Sequence, residues 1–251
     1  MTAHSKEHFT ISTLPTAPAT AVRLQIYQPS RRPKPMVSDW MVSPWGRCRI
    51  DGRLGQRHAD LIDVCMYVAE GVHTSSSGRI KLLVDPYKVR QVMGNGTQGS
   101  YETIKTLLRD ITKAIIEWET PTGSGFGNII DRVEYSRITK RNPLTNSDRY
   151  LLKITMSEDW SKLIYDDIRL RYNPADVIQL QHGITQAVVR VILSHKQGSQ
   201  PNGLKISTVF GWLGIPEGST RRKYTYNLRE DDSGLINQSR IKNIYCSIFK
   251  R

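Results

Sequence analysis

The sequence predicts an α+β fold made of two successive units of one kind, each a group of short helices followed by extended chain. Three observations predict it. Apolar residues recur at helical spacing in two separate stretches. Each stretch gives way to a run that reads as strand or hairpin. Near the end of each helical stretch the same pattern returns: a short helix stopped by glycine, a tight turn, then a serine that opens a basic helix.

Taken in order, residues 1–50 read as a basic, proline-rich N-terminal arm. Pro15, Pro18, Pro29, Pro33 and Pro35 punctuate it, and Arg31-Arg32-Pro33-Lys34-Pro35 gives it charge. Such a composition suits a segment that orders on a partner, with Val22–Tyr27 as a candidate edge strand. Residues 51–172 form the first unit. From Gln56, the residues Leu61, Ile62, Cys65, Val68 and Ala69 share one helical face, and Gly71 closes the helix. Residues 79–84 read as a strand. Asp85-Pro86 supplies an N-cap and a proline at the first helical position, opening a short helix through Met93. After a glycine-rich turn, Ser100 caps the best-patterned helix, with Tyr101, Ile104, Leu108, Ile111, Ile115 and Trp118 on one face and Lys105, Arg109 and Lys113 on the other. Ile129, Val133 and Tyr135 then alternate with polar residues, and Tyr150–Thr155 is expected to pair with that run across a turn at residues 140–147.

Residues 173–251 form the second unit. It opens at Asn173-Pro174 and continues with the stripe Ile184, Ala187, Val188, Val191, Ile192 and His195. Residues 198–203 are a loop, Ile206–Leu213 is a short helix ended by Gly214, and Ser219 caps a helix through about Arg229. Residues 237–249 read as a last hairpin or strand. Gly94 stands fifteen residues before Arg109, as Gly214 does before Arg229, so the two stretches can be overlaid with one compensating single-residue gap. Helix, strand, helix, helix and hairpin is the order of a winged helix, and the expectation is a tandem winged-helix protein with an N-terminal arm.

Charge points to the class of partner. Lys and Arg number 36 against 23 Asp and Glu, a net +13. The excess lies in residues 1–50 and 141–251, while residues 51–140 are nearly balanced at twelve against eleven. A polyanion is the natural partner of such a surface, because each neutralised phosphate releases condensed counterions. No run of eighteen apolar residues and no signal-peptide pattern is present, and Cys48, Cys65 and Cys246 are too few and too scattered for a disulfide framework or a zinc ribbon. A cytoplasmic protein with reduced thiols and no membrane partner is expected.

The chemistry-bearing alternatives fare poorly. Gly94-Asn95-Gly96-Thr97-Gln98-Gly99 formally fits the dinucleotide fingerprint, but that motif works directly after a strand, and a helix precedes it here. No phosphate-binding loop of the ATPases occurs. The six histidines form no HExxH or Cys/His cluster, and His195 completes an apolar stripe. Asp166-Asp167 and Asp231-Asp232 have no third acid placed beside them, and Tyr224, Tyr226 and Tyr245 lack the His or Arg companions of a DNA-cleaving tyrosine. No catalysis, cofactor, metal or small-molecule substrate is expected.

The candidate DNA-reading segment is Ser219-Thr220-Arg221-Arg222-Lys223, continued by Tyr226 and Arg229. A recognition helix puts its N-terminal residues into the major groove, where Arg can bridge guanine O6 and N7, and hydroxyls at the cap can hold phosphate. Ser100, Lys105 and Arg109 form the weaker counterpart in the first unit, because Glu102, Asp110 and Glu117 interleave with its cations. Arg137, Lys140, Arg141 and Arg149 of the first hairpin, with Lys242 of the last, are expected phosphate contacts.

The run Ile206-Ser207-Thr208-Val209-Phe210-Gly211-Trp212-Leu213, followed by Gly218-Ser219-Thr220-Arg221-Arg222-Lys223, resembles the winged-helix plasmid replication initiators of the IncQ RepC and IncP TrfA type. The resemblance covers roughly residues 56–251. It implies binding of double-stranded DNA at direct repeats (iterons) of an origin, contact with host replication machinery, homodimerisation through the first unit and repression of the protein's own promoter. The arm and the acid-studded first helix depart from it. Two other functions stand beside it: a winged-helix transcriptional regulator on an operator, and a partition or interaction protein that binds DNA without sequence preference.

Overall fold

The computed structural model describes residues 9–10, 14–94, 99–141, 146–195 and 204–235. From residue 14 onward, the N-terminal segment is no free arm. Strand β1 (Ala17–Pro18) and helix α1 (Ala19–Arg23) are buried, with Ala17, Ala19 and Val22 in a C-terminal core and Ala21, Leu24, Ile26 and Tyr27 in an N-terminal one. The prolines do not prevent this. Pro18 is the extended N-cap of α1, where no intrahelical N–H is required. Val22–Tyr27 is not an edge strand either: α1 ends at Arg23, and Gln25 takes a left-handed φ of 59°, its amide donating to the Trp212 carbonyl. Two short strands, β2 (Met36–Val37) and β3 (Met41–Ser43), then pair with β4 (Gly46–Gly52).

The first helical group is α2 (Gln56–Tyr67), followed by β5 (Gly71–Thr74), β6 (Ile80–Val84), α3 (Pro86–Met93) and α4 (Tyr101–Lys113). Its caps are the expected ones. The Tyr87 N–H donates to the Asp85 carboxylate at 2.9 Å, and the Thr103 N–H donates to Ser100 Oγ at 3.2 Å. α4 stops earlier than its apolar spacing suggests. Ala114 is extended, and Ile115 starts β7 (Ile115–Thr120), which turns into β8 (Gly123–Gly127). Helical spacing through Ile115 and Trp118 is coincidental, because β7 docks on β4 and the Trp118 ring lies over Gly125. The hairpin of β9 (Ile130–Arg141) and β10 (Asp148–Met156) follows, with Ile154 opposite Val133 and Leu152 opposite Tyr135. β6 pairs the other side of β10, so the sheet order is β5–β6–β10–β9, antiparallel throughout.

The chain continues through α5 (Glu158–Asp166), β11 (Arg169–Leu170, paired with β1), α6 (Pro174–Ile178), α7 (Gly183–Leu193), α8 (Ile206–Trp212) and α9 (Ser219–Leu235). Gly214, at φ 64°, ends α8 as expected. α9 runs past Arg229 because Leu228 is buried in the C-terminal core and the Asp231 carboxylate accepts the N–H groups of Gln181 and His182. The expected last hairpin at 237–249, Lys242 and Cys246 lie outside the described residues, as does the loop at 198–203. Cys48 and Cys65 are buried free thiols, each pushed up to about 12 by burial.

The two cores are joined by a buried ionic network. Arg190 of α7 reaches the carboxylates of α2, at 2.7 Å from Asp60 and 2.8 Å from Asp63, and donates to Gln56 Oε1 at 2.8 Å. The Tyr172 hydroxyl donates to Asp63 at 2.6 Å. All three charged side chains are less than 5% exposed. Burial alone would disfavour the guanidinium, but Asp63, Tyr172 and Asp60 more than offset it and hold Arg190 charged. A second seam runs through Trp45, which meets Trp212 and His195 edge-on at 5.0 and 5.5 Å, while His195 stacks on Trp212. Arg190→Ala leaves two carboxylates buried without their counter-charge. It is expected to lower stability by about 3–5 kcal/mol, measured by urea unfolding. A loss under about 1 kcal/mol would show that water replaces the guanidinium at little cost.

Candidate nucleic-acid interface

α9 carries an exposed stripe set by its one buried side. Leu228 faces the core and Tyr224 packs against it, so Ser219, Thr220, Arg222, Lys223, Tyr226 and Arg229 are left exposed. Most of these recur at spacings of three and four, the period of one helix face. Arg221 does not belong to this stripe. It is half-buried at the start of the helix, ion-paired with Glu217 at 2.9 Å, donating to the Ile215 carbonyl at 3.2 Å and lying 6.0 Å from the Phe210 ring centre. These contacts fasten the turn before α9, so Arg221 is engaged within the protein and lies apart from the exposed stripe.

On α4, Ser100 is the N-cap, Arg109 and Lys113 are exposed and Lys105 is half-buried. The acids expected to neutralise this face do so only in part. Asp110 turns inward to the buried His58 ring, 3.3 Å from Nε2. Burial lowers the His58 pKa even so. Glu117 lies on β7 and pairs with Arg49 at 2.5 Å. Among the described residues, Lys105, Arg109 and Lys113 make no ion pair. Lys105 and Arg109 border a groove of about 390 Å³ between α4 and β9, whose far wall includes Tyr135.

The hairpin cations divide. Arg137 and Arg141 are exposed. Lys140 is bound to Glu70 at 2.7 Å, and Lys88 holds the other carboxylate oxygen at 2.8 Å. Arg149 grips the fully buried Asp85 through two nitrogens, at 3.0 and 2.5 Å, and its guanidinium lies 5.2 Å from the Tyr87 ring centre. Arg149 is therefore a clamp between β10 and the cap of α3 and not a free phosphate contact. A composition-based reading sees its charge and cannot see the acid folded against it.

A feature that sequence reasoning does not assemble is a cleft of about 710 Å³ between residues 29–32, the starts of α2 and α7, and α9. Arg31, Arg32, Arg57 and Lys223 line it. The first two are legible as a basic run, but nothing local to that run shows that it lies beside α9. No group of three or more His, Cys, Asp or Glu is arranged to hold a metal among the described residues, and no described helix is long and apolar enough to cross a membrane.

Asp85 provides a pH handle. Burial would raise its pKa, but the Arg149 pair and the Tyr87 N–H outweigh it and hold the carboxyl below its ordinary 3.8. A depressed folded pKa contributes stability that is complete above the ordinary value and is lost as pH falls through the folded one. Asp85→Asn keeps a competent N-cap and removes the charge. It is expected to cost about 1.5–3 kcal/mol at neutral pH, with the gap from the parent narrowing as pH drops below about 3.8. Denaturant titrations at several pH values check this; a gap that stays constant would mean that the carboxylate's charge is not what stabilises the clamp.

No protein-family model matches the sequence, and no curated protein matches it. The fold, however, is shared. The crystal structure of domains 2 and 3 of RctB superposes with a TM-score of 0.59 at 12% sequence identity, covering 89% of this chain and 86% of that chain.

Proposed function

We propose that this chain is a sequence-specific double-stranded DNA-binding protein of the tandem winged-helix type, acting by binding and not by catalysis, and that it initiates replication from direct repeats at an origin. The observation that carries the reading is the exposed stripe Arg222, Lys223, Tyr226 and Arg229 on α9, freed of Arg221 and held on a body whose two halves are locked together. Two further facts support it. The fold is shared with domains 2 and 3 of RctB. The order α2, β5, β6, α3, α4, β7, β8, β9, β10, with β10 between β6 and β9, is compatible with a winged helix whose wing would be the β9–β10 hairpin, with β7 and β8 as an insertion before it.

In this reading the start of α9 enters one major groove, with Arg222 reading a base edge and Ser219 and Thr220 near phosphate. Arg109 and Lys113 of α4, with Arg137 and Arg141 of the wing, hold a second stretch of the same duplex. Homodimerisation, contact with host replication machinery and a cytoplasmic, plasmid-associated location belong to the proposal. The transcriptional-regulator reading uses the same surfaces on an inverted repeat.

DNase footprinting on the flanking DNA of the coding region, at near-physiological salt with competitor, tests it. Protection of evenly spaced direct repeats supports initiation; one palindromic footprint at a promoter would move the protein to regulation; salt-sensitive smearing with no footprint would sink both. On the protected site, Arg222→Ala is expected to weaken binding by about 1–3 kcal/mol and relax one base position. Arg221→Ala is expected to lower thermal stability while leaving the base preference intact. Calorimetry and binding-site selection separate the two, and a base-preference change in Arg221→Ala would refute its assignment as a fastener.

A further inference from the structure

We propose that the groove between α4 and β9 is a docking site for an extended, acidic segment of another protein, which adds to β9 as a further strand. Of the residues proposed for DNA it includes Arg109 alone. Among the described strands β9 ends its sheet: β10 holds one side, and no described strand pairs with the other. A strand so placed turns every second N–H and carbonyl outward, a template for a chain in extended form. Between Arg132 and Tyr135 the register with β10 is unbroken, with an irregularity on either side of this stretch.

The groove follows that same stretch. Five consecutive residues of β9, from Asp131 to Tyr135, line it. Successive side chains of a strand point to opposite faces, so a hollow that touches all five runs along the strand's edge and not over one face. α4 forms the other wall and lies antiparallel to β9. At one end the hydroxyls of Tyr101 and Tyr135 meet at 2.5 Å, and at the other the Asn128 amide donates to the Thr112 carbonyl. Tyr101, Lys105, Leu108 and Thr112 line the groove at spacings of three and four, one face of the helix. From Tyr101 to Thr112 that face is about 16 Å long, room for about five residues of extended chain. Between the walls the lining is apolar, with Ile104, Leu108 and Leu152 buried and Val133 half-buried.

Charge selects the occupant. Lys105 and Arg109 stand on the helix wall and make no ion pair among the described residues. The acids of the strand wall are engaged: Asp131 lies 3.3 Å from Arg79, and Glu134 lies 3.2 Å from Lys153 and 3.7 Å from Arg132. In an added strand, residues two apart share a face. An apolar side chain turned toward α4 therefore covers Ile104 and Leu108, and a carboxylate two positions along meets the cations of the same wall. The protein's own segments suit the groove less well. β9 carries Arg132, Arg137 and Arg141, so pairing with β9 of a second copy gathers like charge. Residues 236–251 include Arg240, Lys242, Lys250 and Arg251 and no acid.

The test is selection of short random peptides, displayed on phage, against the full chain, followed by affinity and amide hydrogen exchange with an enriched peptide. Enriched sequences are expected to be poor in proline and to hold an apolar residue and an acid two positions apart. The bound peptide is expected to slow exchange of the outward β9 amides between Asp131 and Tyr135, a sign of main-chain pairing that side-chain contact alone does not give. Lys105→Gln/Arg109→Gln is expected to weaken the peptide roughly tenfold. Arg109→Gln alone, at an exposed side chain, is expected to weaken it by a smaller factor and guards against a folding defect in the double variant. Arg222→Ala on α9 is expected to leave peptide affinity unchanged. No enrichment, or enriched peptides that leave the β9 amides exchanging as before, would overturn the proposal. A peptide weakened by Arg222→Ala and not by the α4 variants would be an acid imitating DNA on α9, which also overturns it. Slow β9 amides in the chain alone that become fast on dilution would give the edge to a second copy and remove the acidic segment as its occupant.

Discussion

The rest of the molecule depends on a cation buried between two halves. Arg190 carries its charge into the seam, where Asp60, Asp63 and Gln56 of one helix receive it. Three charges out of water are expensive, and an apolar seam of equal volume could be as stable. What the ionic seam imposes is geometry. A guanidinium offers planar, directed N–H groups, and carboxylates one helical turn apart accept them in one docking register of α7 on α2. Apolar surfaces would tolerate sliding. With Tyr172 donating to Asp63 from the chain between the halves, that connection is bound into the same network.

On the proposed function, fixed register matters because α4 and α9 belong to different cores. Two helices that were to read one duplex would need a set separation and phase, or the second contact would cost the ordering entropy that the first has already met. The sequence leaves the connection between the units open, since residues 157–176 read only as partly helical. In the structure the joint is stiffened from several sides. Arg190 bridges α7 to α2, Trp45 closes against α8, and α1 with the residues after it lies in both cores. The segment from Ala17 to Pro33 is thus closer to a structural strap than to an arm, and the difference from the sequence-based expectation has a physical cause. Its apolar residues follow neither a helical nor a strand period because they are buried on several sides at once, and Pro18, Pro29 and Pro33 interrupt it.

What the sequence makes legible is what local chemistry decides. Asp85-Pro86, Ser100 and Ser219 start helices where expected, Gly94 and Gly214 take the positive φ that ends them, and the β9–β10 register follows the alternation of Val133 and Tyr135. Less legible is anything fixed by a distant partner. The β7–β8 hairpin escapes because Ile115 and Trp118 continue the apolar spacing of α4, and only the docking of β4 makes them strand. The site shows the same division. The outward face of α9 can be read from the positions of Tyr224 and Leu228. The fates of Arg149, Lys140 and Arg221 cannot, since Asp85, Glu70 and Glu217 are invisible to composition.

That sorting changes how a net charge of +13 should be understood. A cation already held by a carboxylate has exchanged most of its counterion-releasing capacity for stability, and contributes to DNA affinity only through the weaker long-range field. Arg149 and Arg190 are bound in this way, Arg149 with a side chain 17% exposed and Arg190 with one that solvent scarcely reaches. Among the described residues, cations left outward include those on the stripe of α9, the outer face of α4 and the exposed side of β9. Affinity for a polyanion then depends less on the total than on whether these patches lie along one duplex. The buried pairs decide that indirectly: Arg190 sets where α9 stands relative to α4, and Arg149 sets the hairpin against the cap of α3.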